Sequence, residues 1–340
     1  MLMVFCEHAY PQIFDKCGGC AVTGFLILSG FCMYLSYGEK VEKQHYNHKN
    51  FLVKKCIHFY PIHWFTLLLA WGIGMNFAYS LTSGWFIKLG LNASLLHSWI
   101  PNRNVYFSYN SPSWYLCDIL LFYISFPFLC KFINKLSFYK NILFIIFIFI
   151  LYTLSLHLFN SSDWNAFFYV QPLVRLIDCY LGMSLARLYL RICNNEIIKK
   201  NIEKNVVCLD ILLIIQFAVV IYQSIYRPLG EIFYMSSMWP TLIILIFLIC
   251  IRSFSLKHSL LNSLINNKII SWLGGISFYF YIFHAPILWG GKRIAGYLNN
   301  TDYSVVVIVC FVLITIIAFC GKKINENIIL PKLCSLFNIK

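Results

Sequence analysis

Charge is scarce in this chain: only 12% of its 340 residues are Asp, Glu, Lys or Arg, against 60% hydrophobic and 18% aromatic. Soluble domains carry about 25% charged residues, so this composition and a mean hydropathy of +0.71 exclude a water-exposed globule. A cleavable secretory signal is lacking, because no small-residue cleavage site follows a basic start. Repeats, low-complexity tracts and linkers are lacking too. The chain therefore reads as one integral-membrane domain over 1–340 with no fused soluble domain. Nor is there a disulfide framework, although the chain has 14 cysteines. Most, such as Cys32, Cys117, Cys179, Cys250 and Cys310, sit in apolar runs, where a thiol behaves as a small apolar side chain.

What the chain does have is a series of apolar runs, each long enough to cross about 30 Å of hydrocarbon as a helix; barrel strands would be about half that length. The runs lie near 1–14, 21–37, 59–80, 112–130, 141–159, 165–187, 206–224, 231–251, 269–290 and 303–320. The expected fold is all-α, a polytopic bundle of about ten spans. Segment 84–100 is apolar too, but Lys88, Asn92 and His97 interrupt it, and it reads as external or re-entrant.

With ten spans, the loops Lys40–Lys55, Lys131–Lys140, Arg187–Lys204 and Arg252–Lys268 and the tail Lys322–Lys340 share one side and hold 20 of the 27 Lys and Arg residues. Lys16, Lys88, Arg103, Arg227, Lys292 and Arg293 fall on the other, and Arg175 stays inside a span. Cytoplasmic loops carry the basic excess, so both termini are expected in the cytoplasm and the protein in the cell (cytoplasmic/inner) membrane. The same bias accounts for the net charge of +14 without a nucleic-acid partner.

Ionisable groups inside spans cost about 3 kcal/mol each on insertion scales and persist with a partner or a function. Five stand out: His8, Asp118, Arg175, Asp178 and His284. Lys54, Lys55 and His58 form a basic cluster ahead of Pro61. Each has a structural alternative. His8 can be a hydrogen-bonded histidine between helices, and His284, before Ala285-Pro286, can satisfy carbonyls that the proline frees. Arg175 and Asp178 are spaced i, i+3 and can pair on one face. Gly24, Ser29 and Gly30 suit close helix packing. Trp114 beside Pro112 suits an interface anchor. "CGGC" at 17–20 has redox or metal spacing but no companion ligands, so it reads as a tight turn between helices and no metal is expected.

These residues and their surroundings carry a resemblance. "VFCEHAY", "GGCAVTGFLILSGF", "FLVKKCIHFYPIHW", "SPSWYLCDILLFYISFPF", "VRLIDCYLGM" and "LGGISFYFYIFHAPI", in that order, resemble the acyltransferase-3 family of ten-helix membrane O-acyltransferases that modify cell-envelope and exported glycans. The resemblance implies transfer of an acyl group, most commonly acetyl, from acyl-CoA to a hydroxyl of a glycan or glycolipid acceptor, alone or with separate glycan-synthesis proteins. It implies that His8 matches the family's required histidine at the outer end of the first helix. It also sets Lys55 and His58, ahead of Tyr60-Pro61, in place of two arginines associated with the acyl-CoA side. Lysine keeps the charge but lacks the bidentate fork, and His58 is cationic only part of the time, so Lys54 and Arg187 are expected to share that load. The family's acidic pair after the tryptophan is missing, and Asp118 stands in for it. Family members also begin with a basic segment and a full helix, whereas the seven residues before His8 cover about 10 Å; the expectation is that some N-terminal residues are lacking.

The expected site therefore comprises His8, His284 and Asp118 for catalysis, with Lys54, Lys55, His58 and Arg175 for acyl-CoA and Trp114 and Glu7 for the acceptor. Glu7 points about 100° from His8 on a helix, so His284 or Asp118 is the better group to orient the imidazole. A multi-helix transporter or flippase for a glycan or lipid-linked intermediate is the alternative class, though it usually shows repeats or broken helices. The topology is testable: reporters fused after residue 340 and between 187 and 204 should both read cytoplasmic, and an external reading at either would overturn the orientation.

Overall fold

The computed structural model describes the chain apart from residues 16, 74–82, 228, 254–258, 260, 263–265, 298–301 and 340. Lys16, Lys340 and the end of the run 59–80 thus lie outside the described residues, which form helices and turns with no strand. The helices are α1 (Leu2–Ala9), α2 (Pro11–Phe14), α3 (Cys17–Glu42), α4 (His48–Gly72), α5 (Ser83–Ala93), α6 (Arg103–Tyr106), α7 (Trp114–Lys135) and α8 (Phe138–Leu158). They continue with α9 (Pro172–Cys193), α10 (Glu196–Lys204), α11 (Val206–Tyr226), α12 (Glu231–Arg252), α13 (Lys268–Tyr297), α14 (Tyr303–Ile324) and α15 (Leu330–Leu336).

Among the described residues, six stretches can cross a membrane by length and composition: Cys17–Glu42, Ser111–Lys135, Phe138–Leu158, Val206–Tyr226, Glu231–Arg252 and Tyr303–Leu336. Each covers one of the expected runs. Only 17% of the most apolar window of α8 is buried, so most of that helix faces lipid. α4, α9 and α13 are as long but more polar; their mid-helix polar groups His63, Arg175, Asp178 and His284 are buried, while Lys54, Arg191 and Lys268 nearer their ends are exposed. The described parts of α1 and α5, 8 and 11 residues, measure about 12 and 17 Å.

Two expected boundaries are corrected. The run 165–187 is not one helix: residues Asn165–Tyr169 make a π turn, and α9 starts at Pro172, whose missing N–H is harmless in a first turn. Cys17–Cys20 is not a turn but the first turn of α3. The Glu7 carboxylate accepts the Gly18 N–H at 2.5 Å and supplies a cap from another helix. A Cβ on Gly18 would lie 2.8 Å from that same Glu7 oxygen, so glycine is needed for the carboxylate to come this close.

α9 packs along α3 at the heart of the bundle, and residues Cys179–Leu185 are buried without a break. Two glycines allow the approach. A Cβ on Gly30 would overlap the Cys179 carbonyl, and one on Gly182 would overlap that of Ile27. Close backbone approach of this kind is how helices gain packing energy where lipid is as apolar as the side chains.

Buried apolar side chains form two main groups. One surrounds Leu26, Phe31, Phe122, Phe126 and Met183, and the other surrounds Phe59, Ile62, Phe280, Phe283 and Ile314. α1, α4, α7 and α13 contribute to both: Val4, Phe51, Ile119 and Tyr281 to the first, Phe5, Phe59, Leu116 and Phe280 to the second. These four helices form the seam of the molecule.

Gly182→Val should force α3 and α9 apart at a cost of about 1–3 kcal/mol or more, read as a lower melting temperature in detergent. Gly24→Ala, whose Cβ would sit 3.7 Å from Leu242 Cδ2, should leave melting unchanged; equal effects of the two would refute the packing argument.

Candidate active site

The last carbonyls of α1 have no partners within the helix. Two neighbouring helices supply them. Lys292 Nζ of α13 donates to the His8 carbonyl at 2.9 Å, and the Tyr303 hydroxyl of α14 donates to the Ala9 carbonyl. A lysine at a helix C-terminus also complements the helix dipole. Held this way, the His8 ring lies 5.1 Å, centroid to centroid, from that of His284.

His284 is buried, and its Nδ1 meets the Tyr281 carbonyl. A carbonyl only accepts, so Nδ1 carries a proton; in the neutral ring Nε2 holds the lone pair. Nε2 is buried without a hydrogen-bond partner among the described residues. Relief of the carbonyl freed by the proline falls to another residue: Pro286 cannot bond the Ile282 carbonyl, and Asn110 Nδ2 donates to it at 2.9 Å and reaches Thr66 Oγ1 at 3.1 Å. The His284 ring engages the Tyr281 carbonyl instead.

His8 lines a cavity of about 1190 Å³ together with Glu7, Trp114, Tyr169, Tyr281 and Lys292. Trp114 opens α7 with its ring 4.7 Å from that of Tyr169, while the Tyr281 hydroxyl donates to the Pro112 carbonyl at 3.1 Å and ties α13 to the start of α7. Of the expected site residues, His8, Glu7 and Trp114 share this wall, and His284 stands directly behind His8.

The others lie elsewhere. Asp118, one turn below Trp114, is buried with neither carboxylate oxygen hydrogen-bonded among the described residues; Arg175 and Asp178 are its charged neighbours. Arg175 pairs with Asp178 at 3.0 Å and donates to Thr23 Oγ1 at 3.0 Å, and Trp239 Nε1 donates to Asp178 at 2.6 Å. That network ties α3, α9 and α12 together, so the structural alternative for Arg175 describes its contacts. Lys54, Lys55 and His58 sit inside α4. Lys54 is exposed, and Lys55 lies over the Phe51 and Tyr123 rings at 5.5 and 5.2 Å. Ile73, just past the other end of α4, lines the cavity, about 27 Å along the helix from Lys55. None of the three basic residues is among the described lining. The His58 ring lies 5.7 Å from Phe278 and 6.0 Å from Tyr279 of α13, about 8–9 Å along that helix from His284.

A second polar group was not foreseen as a cluster. His63 Nε2 meets the Asn92 carbonyl at 2.9 Å, Asn92 Nδ2 donates to Ser108 at 2.7 Å, and His97 lies 3.2 Å from Ser113 Oγ and 3.6 Å from Cys117 Sγ. These bonds pin the segment after α5 against α4 and α7. The signal was the polar set Asn92 and His97 in an otherwise apolar stretch, which requires partners wherever it is buried.

The class that emerges is a helical membrane protein with one imidazole in the wall of a large cavity and a second packed behind it. Residues 1–321 match the family described as "Acyltransferase domain", and the chain belongs to this acyltransferase-3 family. It is similar to Acyltransferase MdmB of Streptomyces mycarofaciens, 31% identical over 121 residues, a stretch that covers 35% of this chain and 30% of that protein. No solved structure matches.

Arg175→Met, which leaves Asp178 without its cation, should cost about 3–5 kcal/mol, and adding Asp178→Leu should recover part of it, because Asp118 still lacks its cationic neighbour. Thermal unfolding of the two variants checks this; a single variant that melts like the wild type would show that the pair is not structural.

Proposed function

We propose that this acyltransferase moves an acetyl group from cytoplasmic acetyl-CoA to a hydroxyl of a cell-envelope or exported polysaccharide, within a ten-span bundle of the cytoplasmic membrane with both termini inside. The observation that carries this reading is His8 at the cavity wall with the His284 ring 5.1 Å behind it. Thioester-to-ester transfer needs a base for the acceptor proton, and a neutral imidazole suits that task. His8 takes the proton of the hydroxyl as its oxygen attacks the thioester carbonyl. The tetrahedral adduct then collapses, the carbon–sulfur bond breaks, and the departing thiolate recovers the proton from His8. His284, with its tautomer set by the Tyr281 carbonyl, offers Nε2 to orient and stabilise the imidazolium.

Acyl-CoA is written here as the donor substrate. Its phosphates would be met by Lys54, Lys55 and His58, and the contact of His58 with Phe278 and Tyr279 supports a path along α13 for the thioester arm toward His284. Lysine and histidine offer these phosphates point contacts in place of forked ones. The Trp114–Tyr169 ring pair suits the flat faces of an acceptor sugar. Glu7, engaged by Gly18, shapes the wall beside it.

With labelled acetyl-CoA and an envelope-glycan extract as acceptor, the detergent-solubilised full chain should release CoA, and His8→Ala should slow release by about 10²–10⁴-fold with the same melting temperature. Turnover of His8→Ala at the wild-type rate would refute the assignment. A flippase would leave the thioester intact.

A further inference from the structure

The face of the molecule opposite the basic loops is poor in cations, yet those it has gather at one place. Lys88 of α5, Arg103 of α6, and Lys292 and Arg293 of α13 all line the cavity that His8 borders. Arg227 stands beside it, bonded to the lining carboxylates Asp15 at 2.9 Å and Glu231 at 2.5 Å. The third carboxylate of the lining, Glu7, is engaged at the start of α3. Among the described residues, five cations thus meet three carboxylates, and each of the carboxylates is already engaged. Lys292 spends one of its three donors on the His8 carbonyl, and Arg293 gives Nη1 to the Ile73 carbonyl at 2.7 Å, which leaves further N–H groups on both. Chance scatter of external cations would not bring four of them, from three helices, around one hollow. Nor does topology ask for them, because the positive-inside bias thins cations on this side.

We propose that this cavity recognises an acceptor carrying a carboxylate or phosphate, with Lys88, Arg103, Lys292 and Arg293 holding the anion and the Trp114–Tyr169 pair stacking an adjoining sugar face. Lys292 links the two subsites, since its ammonium rests on the residue that carries the catalytic imidazole. The word "acceptor" rests on the acyl-transfer reading; the anion preference does not, and binding to the resting protein measures it without turnover.

The test uses the full chain in a neutral polyoxyethylene detergent and three matched probes: phenyl glucoside, phenyl glucuronide and phenyl glucoside 6-phosphate. At low salt at least one charged probe should bind about tenfold or more tighter than the neutral one, a gap that narrows as salt screens the exposed cations. Arg103→Gln with Arg293→Gln should remove most of the gap and leave the affinity for phenyl glucoside unchanged, which also shows that the variant is folded. Equal binding of all three, no binding of any, or a gap that survives the double substitution overturns the proposal. So does displacement of the charged probe by CoA, which would make the cations a donor site, or by added phosphatidylglycerol, which would make them a lipid-headgroup site. Wild-type turnover without an anion preference would sink this inference alone. Full turnover of His8→Ala with the preference intact would sink only the catalytic assignment.

Discussion

Lys292 on the His8 carbonyl is the contact on which the site depends. Unsatisfied carbonyls in apolar surroundings cost several kcal/mol each, and the last carbonyls of α1 have no partners within their own helix. The ammonium and the Tyr303 hydroxyl remove the deficit and fix the rotation of α1, which sets the His8 ring against His284. The cation that holds the helix also faces the cavity, so the support of the imidazole and the charge of the hollow beside it come from one side chain.

The same rule of partnering polar groups in an apolar medium organises the rest of the seam. Pro286 frees a carbonyl and Asn110 takes it, which anchors α13 to the segment before α7. Arg175 finds Asp178 and Thr23, and Trp239 finds Asp178, which draws α3, α9 and α12 around a common centre. α9 carries too much charge to face lipid, and it lies where the Gly30 and Gly182 backbones let α3 come close. α9, the most polar of the long helices, is thus innermost, and α8 and α11, the least buried of the candidate spans, are on the rim.

Several features of this arrangement were legible before any coordinates. His8 and His284 were conspicuous as imidazoles at the ends of apolar runs, and they do meet. Arg175 and Asp178 were one helical turn apart and do pair. Lys54, Lys55 and His58 were recognisable as a basic cluster, but their separation from the cavity follows from α4 starting at His48, well before the apolar run. Gly18-Gly19 suggested a turn because glycine favours turns in general. Here it opens a helix, since the missing side chain makes room for a carboxylate from another segment.

Composition, run length and helical spacing are local quantities, and from them the sequence by itself determined a membrane-embedded helical protein, the approximate limits of its long helices and, through motifs in order, its family. The tertiary structure alone decided which donors close the end of α1, because His8 and Lys292 stand 284 positions apart and no local pattern links a backbone carbonyl to a distant ammonium. It alone decided that cations from α5, α6 and α13 share one cavity, since convergence is a property of how helices pack and not of any one of them.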